Sequence, residues 1–176
     1  MLALATLWVP CANGMTHGPK RTTIHAVIVH TISGPTCKAG KVVYTGADGD
    51  ASYWKSYFDR HPFIGIHYII DRSGTVLASV PEDETANHAL GHNDDTIGIE
   101  LVHEGDGVEP FGDKQVQALI TLLKDIRARY NISIEDIKGH TDIDSRSFTC
   151  GDALVKSRPD PGANFPWSTV RLQIAN

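Results

Sequence analysis

Cysteine is scarce in this chain of 176 residues: Cys11, Cys37 and Cys150 stand far apart. With no C-x-x-C pair, a zinc ribbon and a dithiol redox motif are excluded, and at most one disulfide can form. Spacing alone does not say whether it does. No apolar run is long enough to cross a bilayer. The 16 lysines and arginines, against 21 acidic residues, are scattered, so the basic footprint of a nucleic-acid or anionic-surface binder is missing. Internal repeats and low-complexity segments are absent. Leu2 to Val9 is apolar, but no positive charge precedes it and it runs into Pro10 without a small-residue cleavage site, so it reads as mature protein, not a secretion signal. What remains, 41% hydrophobic and 21% charged with a net charge of −5, describes one soluble globular domain, expected as a monomer without membrane or nucleic-acid partners.

Taken in order, residues 1 to 25 carry Trp8 and Val9 and then several breakers, and read as a wrapping segment. Ala26-Val27-Ile28-Val29 is apolar, β-branched and too short for a helix, so it predicts a buried strand that ends on His30. Ser33 to Asp50 has no period and reads as a long loop near the strand's end. Asp50 or Ser52 caps a helix to about His61, with Trp54, Tyr57 and Phe58 turned to the core. His67 to Asp71, a glycine-containing turn, and Thr75 to Val80 form a β-hairpin. A polar loop follows through His88 and His92. Thr96 to Val102 is then a strand with Ile97, Ile99 and Leu101 on one face and Glu100 on the other. Asp113 caps the longest helix, to about Tyr130, and Ser133 to Asp136 is a capped turn. Ile137 to His140 brings a second histidine to a strand end, Thr141 to Arg158 is irregular, and Pro159-Asp160-Pro161-Gly162 is a rigid turn. A short helix from about Pro166 to Ile174 closes the chain.

Three of these residues sit at positions where the backbone is well fixed: His30, His140 after Gly139, and Asp160 between two prolines. Two imidazoles and a carboxylate suit a catalytic zinc site with its fourth position open to water. A hydrogen-bonded core histidine is the plain alternative for each ring, and nothing in the spacing makes the three meet, as a local H-E-x-x-H would. Glu100, inside an apolar strand, is costly unless paired, hydrogen-bonded or solvated in a cleft. The plain alternative there is a solvent-facing edge strand.

The segments Val27-Ile28-Val29-His30-Thr31, His67 to Val76, Asn93 to Leu101, Gly139-His140-Thr141-Asp142 and Asp160-Pro161-Gly162 resemble, in order, the motifs of the zinc N-acetylmuramoyl-L-alanine amidases. That family includes phage lysozyme-type amidases, cytoplasmic muropeptide-recycling amidases and peptidoglycan recognition proteins. The resemblance runs from about Val9 to Trp167. It implies an α/β fold, a single catalytic domain with a central mixed β-sheet flanked by helices. It further implies Zn2+ held by His30, His140 and Asp160, Glu100 as catalytic glutamate, and bacterial peptidoglycan or muropeptide as substrate. Arg158 falls where many members carry a lysine that holds the reacting carbonyl oxygen. His88 and His67 match positions linked to substrate binding, although Asn87 replaces the tryptophan usual before His88, and His67 suits a structural role beneath the hairpin as well. The tail from Asp160 to Trp167 resembles phage endolysins and recycling amidases. A phage lysin, released from the host cytoplasm to the wall, is the preferred setting, with a recycling amidase as alternative. A binding module without catalysis and a stem-peptide peptidase are the other readings, and the polar insertion from Asp144 to Lys156 is expected on the groove rim.

Overall fold

β-branched runs dictate the centre of the molecule. The computed structural model describes residues 17–176, so the expectations for Leu2 to Val9, Trp8 and Cys11 lie outside the described residues. In chain order the elements are β1 (His17–Lys20), β2 (Ala26–Thr31), β3 (Pro35–Lys38), β4 (Lys41–Tyr44), α1 (Ala51–Arg60), β5 (Tyr68–Ile70), β6 (Val76–Ala78), β7 (Glu84–Ala86) and β8 (Thr96–Leu101). They continue with α2 (Asp113–Tyr130), a 3-10 turn (Ile134–Asp136), β9 (Ile137–Gly139), α3 (His140–Ile143), β10 (Ser147–Cys150), β11 (Ala153–Lys156) and α4 (Trp167–Ala175). A five-stranded mixed sheet in the order β6-β5-β8-β2-β9 forms the core, parallel except at β6.

Alternation along the strands gives the sheet two different faces. Val27, Val29, Ile97, Ile99 and Leu101 pack on one side with Leu119, Leu123 and Ile126 of α2 and Val170 and Ile174 of α4. This is the larger apolar core. The opposite face carries Ile69 against Ala51 and Phe58 of α1, and it also carries His30 and Glu100. Because β2, β8, β9 and β5 run parallel, their carboxyl ends lie together, where open α/β sheets place their ligands.

Several local expectations hold. Asp50 caps α1, its carboxylate accepting from the Tyr53 amide at 2.8 Å. The β5–β6 hairpin is tied by Asp71, whose carboxylate accepts from the Ser73 and Thr75 amides and reaches the Ala51 amide at the start of α1. The turn before β9 begins at Ser133 as expected, but without the side-chain cap: Ser133 donates to the Asp136 carboxylate at 2.8 Å instead of accepting from the backbone.

Other expectations are corrected. Gly112, not Asp113, caps α2; Asp113 stands in the first turn, where the helix dipole favours a carboxylate. The long loop from Ser33 to Asp50 contains the β3–β4 hairpin, whose Ala39-Gly40 turn takes positive φ at both residues. The irregular stretch after Thr141 likewise contains the β10–β11 hairpin, with Gly151 in the left-handed region. The two hairpins meet at their turns and are joined by a Cys37–Cys150 disulfide with Cα atoms 5.5 Å apart. Two further short strands, β1 and β7, pair where a wrapping segment and a polar loop were expected.

Candidate metal centre and active-site cleft

The register of β2 on β8 sets His30 beside Glu100, and that of β2 on β9 sets Val29 beside Gly139, so His140 emerges next to His30. Asp160 reaches the same point because position 139 lacks a side chain: a Cβ there would lie 2.7 Å from Pro161 Cδ and 3.3 Å from the Asp160 carbonyl oxygen. The Thr141 amide donates to that carbonyl at 2.9 Å, and the Asp160–Pro161 peptide bond is cis.

The three residues are 2%, 5% and 5% exposed. His30 Nδ1 lies 3.0 Å from His140 Nδ1, and Asp160 Oδ2 lies 3.2 Å from each nitrogen. A tetrahedral set of ligands with bonds of about 2.0–2.1 Å has edges of about 3.3 Å, close to this triangle. Two ring nitrogens and a carboxylate oxygen that all offer lone pairs to one point fit a zinc ion, with an open side toward the cleft. Burial pushes the Asp160 carboxyl up, but the His140 and His30 rings against it more than reverse this and hold it well below the usual range. Burial lowers the His30 pKa, partly opposed by Asp160. His140 Nε2 is buried without a hydrogen-bond partner, with the Asp144 carboxylate 3.8 Å away; Arg146 holds that carboxylate down at about 2.

Glu100 Oε2 is buried and unpartnered. Burial, reinforced by the Asp160 charge, raises its pKa well above the usual carboxylate value, and Arg158 opposes the shift. Arg158 is exposed on the cleft lining and, among the described residues, pairs with no carboxylate; its Nη1 donates to the Ser157 carbonyl at 3.3 Å. His88 also lines the cleft, its Nδ1 3.0 Å from His30 Nε2. His67 is apart from the cleft, fully buried behind His88, accepting from the Gly98 amide at Nδ1 and facing the Glu84 carbonyl at Nε2.

The cleft, about 350 Å³, has an aromatic wall; of the three aromatics expected in the core, Phe58 is buried there and Trp54 packs partly against it, whereas Tyr57 is exposed. Tyr53 is 59% exposed, and Trp54 and Tyr57 line the cleft with it. The buried stripe of α1 is Ala51, Lys55 and Phe58, and Lys55 is tolerated there because Asp59 takes its ammonium at 2.7 Å. Arg21 was missed altogether: its guanidinium donates to carbonyls of Glu82, Asn93 and Thr96, stapling the loop that carries His88. No sequence signal marks it, since it stands in the stretch expected only to wrap the domain.

A family model described as N-acetylmuramoyl-L-alanine amidase matches residues 20–163. The N-acetylmuramoyl-L-alanine amidase AmiD of Escherichia coli is 33% identical over 161 residues, 79% of this chain and 54% of AmiD. The chain thus spans about half of AmiD, whereas it covers 79% of the 1,6-anhydro-N-acetylmuramyl-L-alanine amidase AmpD of Enterobacter cloacae, at 32% identity over 84% of this chain. The endolysin of Enterobacteria phage T3 is 31% identical over 70% of this chain and 78% of its own length. Among solved structures, AmiD in complex with anhydro-N-acetylmuramic acid-L-Ala-D-gamma-Glu-L-Lys superposes with a TM-score of 0.65 at 28% identity, over 87% of this chain and 58% of that one. An endolysin amidase, LysCS of Clostridium intestinale, shares the fold over 93% of both chains, with a TM-score of 0.64 at 22% identity. The family match across most of the chain and the buried donor triangle agree: this chain belongs to the N-acetylmuramoyl-L-alanine amidase family and is an enzyme of that class.

Proposed function

We propose that the protein hydrolyses, with zinc, the amide between the lactyl group of N-acetylmuramic acid and L-alanine in peptidoglycan, and that it acts on the wall as an endolysin. The observation that carries the reading is the buried triangle of His30, His140 and Asp160 opening on a cleft where Glu100 stands in register beside His30. When bound there, zinc supplies Lewis acidity, polarising the scissile carbonyl and lowering the pKa of a water to about 7. Glu100 takes the water's proton and delivers it to the departing amine, and the upward shift of its pKa on burial strengthens it as the base of the first step. Arg158 faces the negative charge that develops on the carbonyl oxygen; a guanidinium keeps its proton, so it stabilises that charge without donating.

The Cys37–Cys150 disulfide supports work outside a reducing cytoplasm, where such bonds do not persist. Likeness to the AmpD amidases favours the second reading, recycling of soluble muropeptides.

Digestion of purified peptidoglycan by zinc-loaded protein, with new alanine amino termini scored beside a chelated sample and Glu100→Gln, tests metal, base and bond together. New termini are expected only with zinc and Glu100. Wall binding without release of termini sinks the amidase reading, and faster cleavage of soluble fragments than of intact wall favours recycling.

A further inference from the structure

We infer that His88 is a positioning residue for His30, and that the main-chain carbonyl of His92 sets the tautomer of both rings. The inference rests on the reading of His30, His140 and Asp160 as a zinc site.

At the far end of the proton chain stands a carbonyl, a group that can only accept. Thr96 Oγ1 is hydrogen-bonded to the His92 carbonyl oxygen, and a hydroxyl has one proton, so it is donated there. Toward His88 Nε2, 3.3 Å away, Thr96 Oγ1 can therefore only accept. Neutral His88 then carries its proton on Nε2, and its bare Nδ1 accepts from His30 Nε2 at 3.0 Å. His30 is left with a bare Nδ1, the atom that meets His140 and Asp160. Every proton in the chain points away from the site, and the opposite arrangement would turn the Thr96 proton toward His88 and strip the His92 carbonyl of its short bond from that hydroxyl. A metal ligand whose second ring nitrogen donates to a fixed acceptor has both its tautomer and its orientation set.

The surroundings are built for this ring. Gly98 of β8 leaves room for it: a Cβ there would lie 2.7 Å from His88 Cγ and 2.5 Å from Ile66 Cδ1. Asn93 Oδ1 accepts from the His88 and Ala89 amides at 2.9 and 2.7 Å and so fixes the loop.

The test uses the full chain with His88→Ala, His88→Gln and Thr96→Val, each checked for cooperative unfolding. Zinc affinity is read by competition with a chromophoric chelator, and ligand geometry by the absorption of the Co(II)-substituted protein. Loss of such an outer partner costs about 10- to 100-fold in metal affinity, the fall expected for His88→Ala. His88→Gln, whose amide oxygen can accept from His30, should recover part of it with the Co(II) spectrum restored. Thr96→Val should weaken binding in the same direction by less. In zinc-free wild type, ring nitrogen NMR should show His30 and His88 protonated at Nε2, and Thr96→Val should lose that single tautomer.

Unchanged zinc affinity in all three variants with a raised KM for muropeptide would overturn the inference and make His88 a substrate contact. Should His88→Ala fail to fold, Thr96→Val and the tautomer assignment decide. If wild type takes up no zinc, the zinc reading fails, and the tautomers still test the proton chain by themselves.

Discussion

His30 and Glu100 occupy paired positions on adjacent parallel strands, both rising from the sheet face that α1 and the cleft share. One register thus sets a proposed metal ligand and the proposed proton carrier side by side, on backbone held by ladder hydrogen bonds. Neither needs a mobile loop to find the other.

Arg158 carries the nearest test of transition-state stabilisation. Removing one donor to a developing oxyanion typically costs about 100- to 1,000-fold in kcat, so Arg158→Ala should lose that much while keeping its zinc. Because Arg158 is exposed and forms no ion pair among the described residues, Tm should hardly move. Metal retained with kcat unchanged would remove Arg158 from the mechanism.

Gly139→Ala should damage the site through geometry. The new methyl would lie 2.7 Å from Pro161 Cδ, and the easiest relief displaces Asp160 from His140. Overpacking of this kind costs about 1–3 kcal/mol, and zinc affinity should fall with it. Chelator competition beside urea unfolding checks both; zinc binding as tight as wild type would mean that the 160–161 turn yields without moving the carboxylate.

Reduction of the disulfide should lower stability without changing the metal ligands. Cys37 and Cys150 are 113 residues apart, and closing a loop of that size restricts the unfolded chain by about 4–5 kcal/mol in the chain-entropy account. Urea unfolding of Cys37→Ser/Cys150→Ser against wild type should show a loss of about 2–5 kcal/mol. Equal midpoints would mean that the bridge does not form in solution.

His67 should make stability depend on pH. Burial, with the Arg21 charge beside it, pulls the ring down to about 3 from an ordinary 6.5. The unfolded chain therefore binds the extra proton between those values, so stability is full above about pH 7 and is lost as pH falls, by about 2 kcal/mol at pH 5. His67→Asn, which keeps an acceptor for the Gly98 amide, should flatten that slope between pH 7 and 5 in urea unfolding. A slope as steep as wild type would assign the effect to other groups.

The strands and helices of the core were legible because each repeats one period against one face. The β5–β6 hairpin, β8 with Glu100 turned from Ile97, Ile99 and Leu101, and α2 emerge from periodicity alone. The β3–β4 and β10–β11 hairpins were not, because their side chains are mostly solvent-exposed and impose no apolar alternation. Tyr57 of α1 misled for a related reason: helical spacing says which residues share a face, not how far the sheet covers it, and only Phe58 and part of Trp54 are covered.

By itself the sequence determined the local elements of the core, the fixed positions of His30, His140 and Asp160, and the isolation of Glu100 on its strand. Only the tertiary structure decided that these residues meet, since side chains separated by 110 and 20 positions converge through strand register and one missing Cβ at Gly139. It also decided the Cys37–Cys150 pairing and the proton chain from His92 to His30, because hydrogen-bond direction depends on which groups face each other, and sequence spacing carries no record of that.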